Sequence, residues 1–254
     1  MSDGNKWLWR FHPAGDADTR IVAFPHAGGS ASYFHPLSTR LSAAADVVTV
    51  QYPGRQNRST EPCVDTIDEL ARLIAAELRP FTDRPLALFG HSMGAAIAFE
   101  VARLLSGPGR GPSHLFVSSR RAPTSPRPGR QLHLGTDQEL LDEVGRVSGT
   151  DPEVLRDEAL RRLILPALRA DYRAIETYRY RPGARLSCPI TALTGESDPT
   201  VHILDVLGWQ AETDAAFAAR VFPGGHFYLN ELLSEVADTV LAALPAPEPQ
   251  RSRP

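Results

Sequence analysis

Ser92 lies in the segment Leu86-Ala-Leu-Phe-Gly90-His-Ser92-Met-Gly94-Ala-Ala-Ile-Ala-Phe99. This reads as an apolar strand, a G-x-S-x-G turn and an alanine-rich helix. A turn that tight holds its serine in a strained backbone and thrusts Oγ outward. Only neighbours without a Cβ leave room for it, and Gly90 and Gly94 meet that need. The plainer reading is a glycine-rich turn with an idle serine; the strand before it and the helix after it argue for the nucleophile.

A serine hydroxyl attacks poorly until a positioned histidine removes its proton, and that histidine needs a carboxylate to fix its tautomer and stabilise the imidazolium. On a sheet of this kind the chain order is serine, acid, histidine. His114, His133, His202 and His226 follow Ser92. His114 begins a strand, and His133 falls in a helical stretch. His202 is so close to the best acid that both would share one loop. His226, in Phe222-Pro-Gly-Gly-His226-Phe, sits where the chain leaves the last strand and is the candidate base. Asp198, in Ile190-Thr-Ala-Leu-Thr-Gly-Glu-Ser-Asp198-Pro, stands at the C-terminal end of a strand, the edge on which open α/β sheets build their sites. Its rivals are Glu196 and Asp205, and its bland role is to cap a helix after Pro199. A tetrahedral intermediate also needs donors for its oxyanion. The Met93 N–H at the start of the helix is one candidate. The Ala27 N–H, in the loop Pro25-His26-Ala27-Gly28-Gly29, is the other, with His26 and Gly28 as support; a plain turn is the alternative there.

Other chemistries find no footing. Gly28-Gly29-Ser30 lacks the remainder of a phosphate-binding loop. There is no helical His-Glu-x-x-His and no dense His/Asp cluster for a metal. Trp7 and Trp9, two apart on an expected edge strand, read as packing. The 254 residues carry 27 basic and 30 acidic side chains, a net charge of −3, without the basic footprint that nucleic-acid binding requires. Cys63 and Cys188 form neither a disulfide framework nor a metal-ligand spacing, which fits a reducing, cytoplasmic setting. The start MSDGNKWLWRFH has no basic region followed by an apolar run, so no secretory signal is expected. No apolar run is long enough for a membrane span.

These residues must be positioned by an α/β architecture. Apolar runs at Trp7–Phe11, Ile21–Phe24, Val47–Val50, Leu86–Phe89, Leu115–Ser118, Ile190–Leu193 and Arg220–Phe222 alternate with helical patterns, which predicts a mostly parallel central sheet flanked by helices. After Thr66, the residues Ile67, Leu70, Leu73, Ile74 and Leu78 form an amphipathic stripe that ends at Arg79-Pro80. Met93 to Leu105 is apolar nearly all round, as a buried helix would be. From Ala122 to Pro182 the alternation stops. A proline-rich opening leads into two or three helices, with Asp151-Pro152 as an N-terminal cap and Pro166 as a kink. The expected organisation is a core of 1–121 and 183–245, a helical lid inserted at 122–182 and a disordered tail at 246–254.

Five segments in this order and spacing carry a resemblance: Phe24-Pro-His-Ala-Gly-Gly-Ser-Ala-Ser-Tyr-Phe, Gln51-Tyr-Pro-Gly-Arg, Phe89-Gly-His-Ser-Met-Gly-Ala, Gly195-Glu-Ser-Asp198-Pro and Pro223-Gly-Gly-His226-Phe. Together they resemble the type II thioesterases of the α/β-hydrolase fold, stand-alone enzymes that accompany polyketide synthases and non-ribosomal peptide synthetases in antibiotic biosynthesis. The resemblance spans nearly the whole chain and departs at no motif position. It implies the catalytic roles already argued for Ser92, Asp198 and His226. It also implies hydrolysis of acyl groups from the phosphopantetheine thiol of acyl or peptidyl carrier proteins, with no cofactor beyond that substrate arm, and a mobile lid at 122–182. Carrier proteins are usually acidic, so Arg120, Arg121, Arg127 and Arg130 become candidates for a transient docking face on an expected monomer, with an ordinary solvated loop as the bland alternative. The competing functions are a carboxylesterase or lipase acting on small oxyesters, and a carrier-binding regulator with a dead site.

Overall fold

The computed structural model describes residues 5–14, 17–125, 131–148 and 157–244. Five apolar runs form strands buried along their whole length: β2 (Arg20–Phe24), β3 (Asp46–Val50), β4 (Leu86–His91), β5 (His114–Ser118) and β6 (Ile190–Gly195). Strands without a polar face are stable only when both faces are covered. The edges are β1 (Leu8–Trp9) and β7 (Phe217–Phe222), giving the order β1-β3-β2-β4-β5-β6-β7. All neighbours run parallel except β1, which is antiparallel to β3.

Strand alternation sorts the core into two layers. Val22, Phe24, Val48, Leu88 and Val117 face α2 (Ile67–Leu78) and α3 (Met93–Leu105); Ile21, Ala23, Val47, Phe89 and Phe116 face α1 (His35–Leu41) and α7 (Leu233–Ala243). The predicted stripe on α2 is buried through Ile67, Leu70, Ile74 and Leu78, and Thr66 Oγ1 accepts the Glu69 N–H at 3.3 Å. That bond satisfies a donor the helix start leaves open.

Both edge strands differ from expectation. β1 holds two residues instead of Trp7–Phe11, because Asn5 Oδ1 captures the Trp7 and Leu8 amides while Phe11 turns its ring onto His35. Trp7 lies under the Arg58 guanidinium and packs on the core. β7 begins three residues earlier than Arg220, at Phe217. Ala218 and Ala219 near its start disfavour a strand, and pairing with β6 from Ile190↔Phe217 onward overrides that preference.

Between β5 and β6 stand α4 (Asp137–Ser148) and α5 (Glu158–Thr177). α5 continues through Pro166 as one helix. The expected cap at Asp151-Pro152 and the tail at 246–254 lie outside the described residues. Completing the layers, α6 (Ile203–Leu207) follows β6.

An ion pair between residues far apart in sequence ties α5 to the sheet. Asp171, fully buried, accepts from Arg55 Nη1 at 2.6 Å and Nη2 at 2.9 Å and from the Gly28 N–H at 2.7 Å, while Arg55 Nη1 also donates to the Gly29 carbonyl at 3.0 Å. Removing one partner strands the other charge in the interior, a cost of about 3–5 kcal/mol. Asp171→Ala is therefore expected to lower Tm by roughly 10 °C. The double variant Arg55→Met/Asp171→Leu should recover part of that loss in calorimetry; a double variant as unstable as the single would refute the stranded-charge account.

Candidate active site

The parallel register brings the sheet's C-terminal ends together. Phe24 pairs with Gly90, His91 with Ser118, Ser118 with Leu193, and Gly195 with Phe222. The loops that follow these strands carry Ala27, Ser92, Ser119, Asp198 and His226 to one edge, with the β2/β4 junction as the point where strand order reverses.

Ser92 has φ 54° and ψ −116°, a strained conformation for a residue with a side chain. Its N–H donates to the Ser118 carbonyl at 2.8 Å. A Cβ on Gly94 would collide with the Phe24 carbonyl oxygen, and one on Gly90 with the Ala95 backbone. The start of α3 thus lies against the end of β2, which is why this turn needs its two glycines.

His226 Nδ1 lies 2.8 Å from Asp198 Oδ2, with both side chains buried. Thr200 joins them: its N–H and its Oγ1 each reach Asp198 Oδ1 at 2.8 Å, and Oγ1 is 3.0 Å from His226 Nδ1. Ser119 Oγ donates to the His226 carbonyl at 2.8 Å. Burial alone would raise the Asp198 pKa, but the hydrogen bond and charge of His226 and the two Thr200 donors outweigh it and hold the carboxyl below its usual range. The other candidate histidines are engaged elsewhere. His114 meets Thr191 Oγ1 at 2.8 Å, His133 is held by Glu176, and His202 accepts the Leu204 N–H at the start of α6. Glu196 is exposed, and the Asp205 carbonyl accepts the Ala122 N–H.

In the 25–29 loop, Gly28 takes φ 75° and spends its N–H on Asp171. Gly29 N–H donates to the His26 carbonyl, and Tyr52 OH holds the Pro25 carbonyl. Ala27 and Met93 line the same cavity as Ser92 and His226. His26 lines it too, its ring edge-on to Tyr33 and Phe227. Burial, with smaller contributions from His226 and Arg55, pushes the His26 pKa down to about 3. Burial likewise takes His91 well below its usual value, aided by His226 and His26; its Nδ1 meets Ser118 Oγ, which meets Tyr228 OH. Two neutral imidazoles therefore flank His226.

The cavity encloses about 1030 Å³, with Ser92 and His226 in its wall and Val144, Arg146, Leu168 and Tyr172 from α4 and α5 opposite the sheet edge. Arg120 and Arg121 line it as well. The Arg120 carbonyl accepts Trp209 Nε1–H, and Arg121 Nη2 donates to the Thr200 carbonyl at 2.7 Å. Arg127 and Arg130 lie outside the described residues. No cluster of metal-ligating side chains occurs among the described residues.

Sequence reasoning missed Ser118, Ser119, Thr200, Arg55 and Asp171. The first two had a signal, since adjacent serines ending an apolar strand on the functional edge have no packing reason to be there. Thr200, two residues after the acid, had a weaker one. The Arg55–Asp171 pairing spans 116 positions and leaves no local trace.

A sequence-family model described as Thioesterase domain matches residues 19–244. The chain is 45% identical to Thioesterase PikA5 of Streptomyces venezuelae, over 99% of this chain and 92% of that one. Among solved structures it is similar to the type II thioesterase BorB from the borrelidin biosynthetic cluster, with TM-score 0.89 and 44% identity over 96% of this chain and 99% of that one. It is also similar to RedJ, the thioesterase of the prodiginine pathway in Streptomyces coelicolor, with TM-score 0.82 and 37% identity over 91% and 87% of the two chains.

The buried neutral histidines give stability a pH dependence of definite sign. His114, burial-lowered to about 4, and His26 and His91 stay uncharged in the fold, whereas each takes a proton near pH 6.5 when unfolded. The unfolded chain thus binds more protons below that pH, so their contribution is fully present above about pH 6.5 and is lost as the solution is acidified towards the folded-state values. Tm is expected to fall between about pH 7 and pH 5, and His114→Gln should make that fall shallower in calorimetry; an unaltered slope would contradict the assignment.

Proposed function

The chain belongs to the thioesterase family, and from that premise we propose that Ser92, His226 and Asp198 hydrolyse acyl thioesters presented on the phosphopantetheine arm of carrier proteins, clearing stalled or wrongly primed groups in polyketide or peptide biosynthesis. The observation that carries the reading is the 2.8 Å bond from His226 to buried Asp198, in a cavity that also holds the Ser92 elbow.

Asp198 fixes the imidazole with its proton on Nδ1, leaving Nε2 to take the proton of Ser92 as Oγ attacks the thioester carbonyl. The tetrahedral oxyanion is received by the Ala27 and Met93 amides, each such donor contributing roughly 10²–10³ in rate. Gly28 cannot serve, since its N–H is committed to Asp171. Collapse breaks the C–S bond, and the departing sulfur takes the proton from His226 Nε2, which releases the carrier thiol and neutral His226 and leaves an acyl ester on Ser92. Thiolate leaves readily, so acid assistance matters less here than for an amide. Water then attacks the ester, giving its proton to His226, and the free acid departs as that proton returns to Ser92 Oγ. His226 becomes an imidazolium twice per turnover, and the neutral His26 and His91 beside it add no positive charge to oppose this.

α4 and α5, in the 122–182 segment, act as a lid over the cavity, and the substrate arm enters between them and the sheet edge; lid opening is a natural limit on turnover. Arg120 and Arg121, which line the cavity, offer positive charge to an acidic carrier, and the sequence supplies two more arginines, Arg127 and Arg130, in the residues that follow. The protein works as a cytoplasmic monomer that meets its carrier transiently. No described helix is long and apolar enough to cross a membrane.

Hydrolysis of one short acyl group should be fastest on a carrier protein, slower on a pantetheine mimic and slowest as an oxyester, with Ser92→Ala abolishing all three. Equal or faster turnover of the oxyester would replace this reading with a general esterase. Charge reversal at Arg120, Arg127 and Arg130 should raise KM for the carrier substrate while sparing the pantetheine mimic; an unchanged KM would remove these arginines from the docking face.

A further inference from the structure

The three groups assigned to the reaction leave the Thr200 hydroxyl unexplained. The turn Asp198-Pro-Thr200 is closed by the Thr200 N–H on Asp198 Oδ1, at 2.8 Å, and needs no hydroxyl. The hydroxyl nevertheless makes two further contacts, with Asp198 Oδ1 at 2.8 Å and His226 Nδ1 at 3.0 Å. The residue is anchored from behind by Arg121 Nη2 on its carbonyl, at 2.7 Å.

Proton accounting gives these contacts one consistent arrangement. A carboxylate only accepts, so the single hydroxyl hydrogen goes to Asp198 Oδ1. The lone pairs of Oγ1 then face His226 Nδ1, as does Asp198 Oδ2 at 2.8 Å. Two acceptors converge on Nδ1, which must carry the proton in the neutral ring, and Nε2 is left bare. With both donors of Thr200 on Oδ1, the carboxylate cannot rotate without losing them, and Oδ2 stays aimed at the ring.

Resting on the serine-hydrolase reading above, we propose that Thr200 is a positioning residue that locks the Asp198 rotamer and the His226 tautomer, so that Nε2 faces Ser92 as a base. The branched Cβ restricts χ1 and keeps the hydroxyl at this bridge. Serine can make the same bonds but rotates more freely, and valine keeps the shape and the turn without the bonds.

The test uses the full-length protein with a short acyl-pantetheine thioester. Thr200→Val, which removes the hydroxyl's bonds to Asp198 and His226, is expected to lower kcat about 10-fold or more, with KM changed less than about 2-fold. Thr200→Ser should restore kcat to within about 3-fold of wild type, and both variants should keep the wild-type Tm to within a few degrees. In ¹⁵N NMR of the resting enzyme, wild type and Thr200→Ser should show His226 protonated at Nδ1 alone, and Thr200→Val a mixture of tautomers. Wild-type kcat in Thr200→Val, a serine variant as slow as the valine one, or an unmixed tautomer in Thr200→Val would each overturn the proposal. Should the wild-type enzyme leave the thioester intact, the serine-hydrolase reading fails, whereas the NMR comparison still decides what the hydroxyl does.

Discussion

The edge that carries Ser92 and His226 is set by how closely α3 begins to the end of β2. Phe24 and Gly90 are paired in register, and the Phe24 carbonyl occupies the space that any side chain on Gly94 would need. That approach forces the chain from β4 to α3 through a turn too tight for relaxed dihedrals, and Ser92 takes the strain at φ 54°. The same approach aligns the Met93 amide with the 25–29 loop, because both start where the two strands stop. The strain is sustained by surroundings that determine it from every side: a fully buried strand before, a helix buried from Met93 to Phe99 after, and the Ser118 carbonyl on the Ser92 amide.

β5 does a second job from the neighbouring position. Ser118 supports Ser92 through its carbonyl and His91 through its hydroxyl, and Ser119, itself at φ 47°, reaches across to the His226 carbonyl. One strand end thereby sets the spacing between Ser92 and His226. The sheet's own pairing, reaching Gly195↔Phe222 at the far side, places Asp198 and His226 on adjacent loops.

The core strands, α2 and α3 were readable in the sequence because burial on both faces of a strand, along one stripe of α2 and around most of α3 each forces a composition that is hard to mistake. The edges were not. β1 lost its expected length to a side-chain cap by Asn5, and β7 gained residues whose propensities argue against a strand. Ser92, Asp198 and His226 stood out because nucleophile chemistry demands particular types at strand ends. What supports them was hidden for two reasons. Thr200 and Ser119 act through hydroxyls on strand-end loops, which many small polar residues there carry without a role, and the Arg55–Asp171 pair joins parts of the chain that only the folded topology brings together.

That last pairing bears on how the fold can change. An acid within α5 holds both the amide of Gly28 and, through Arg55, the carbonyl of Gly29. The helical stretch between β5 and β6 is accordingly no free-standing module. A segment transplanted from another protein to alter the shape of the cavity would have to bring a carboxylate to position 171 or replace Arg55 in the recipient. The cavity wall can thus vary along most of its surface while one buried acid stays in step with the loop whose amide it holds. Recombination breakpoints between Arg55 and Asp171 would separate partners that only function in the same parent.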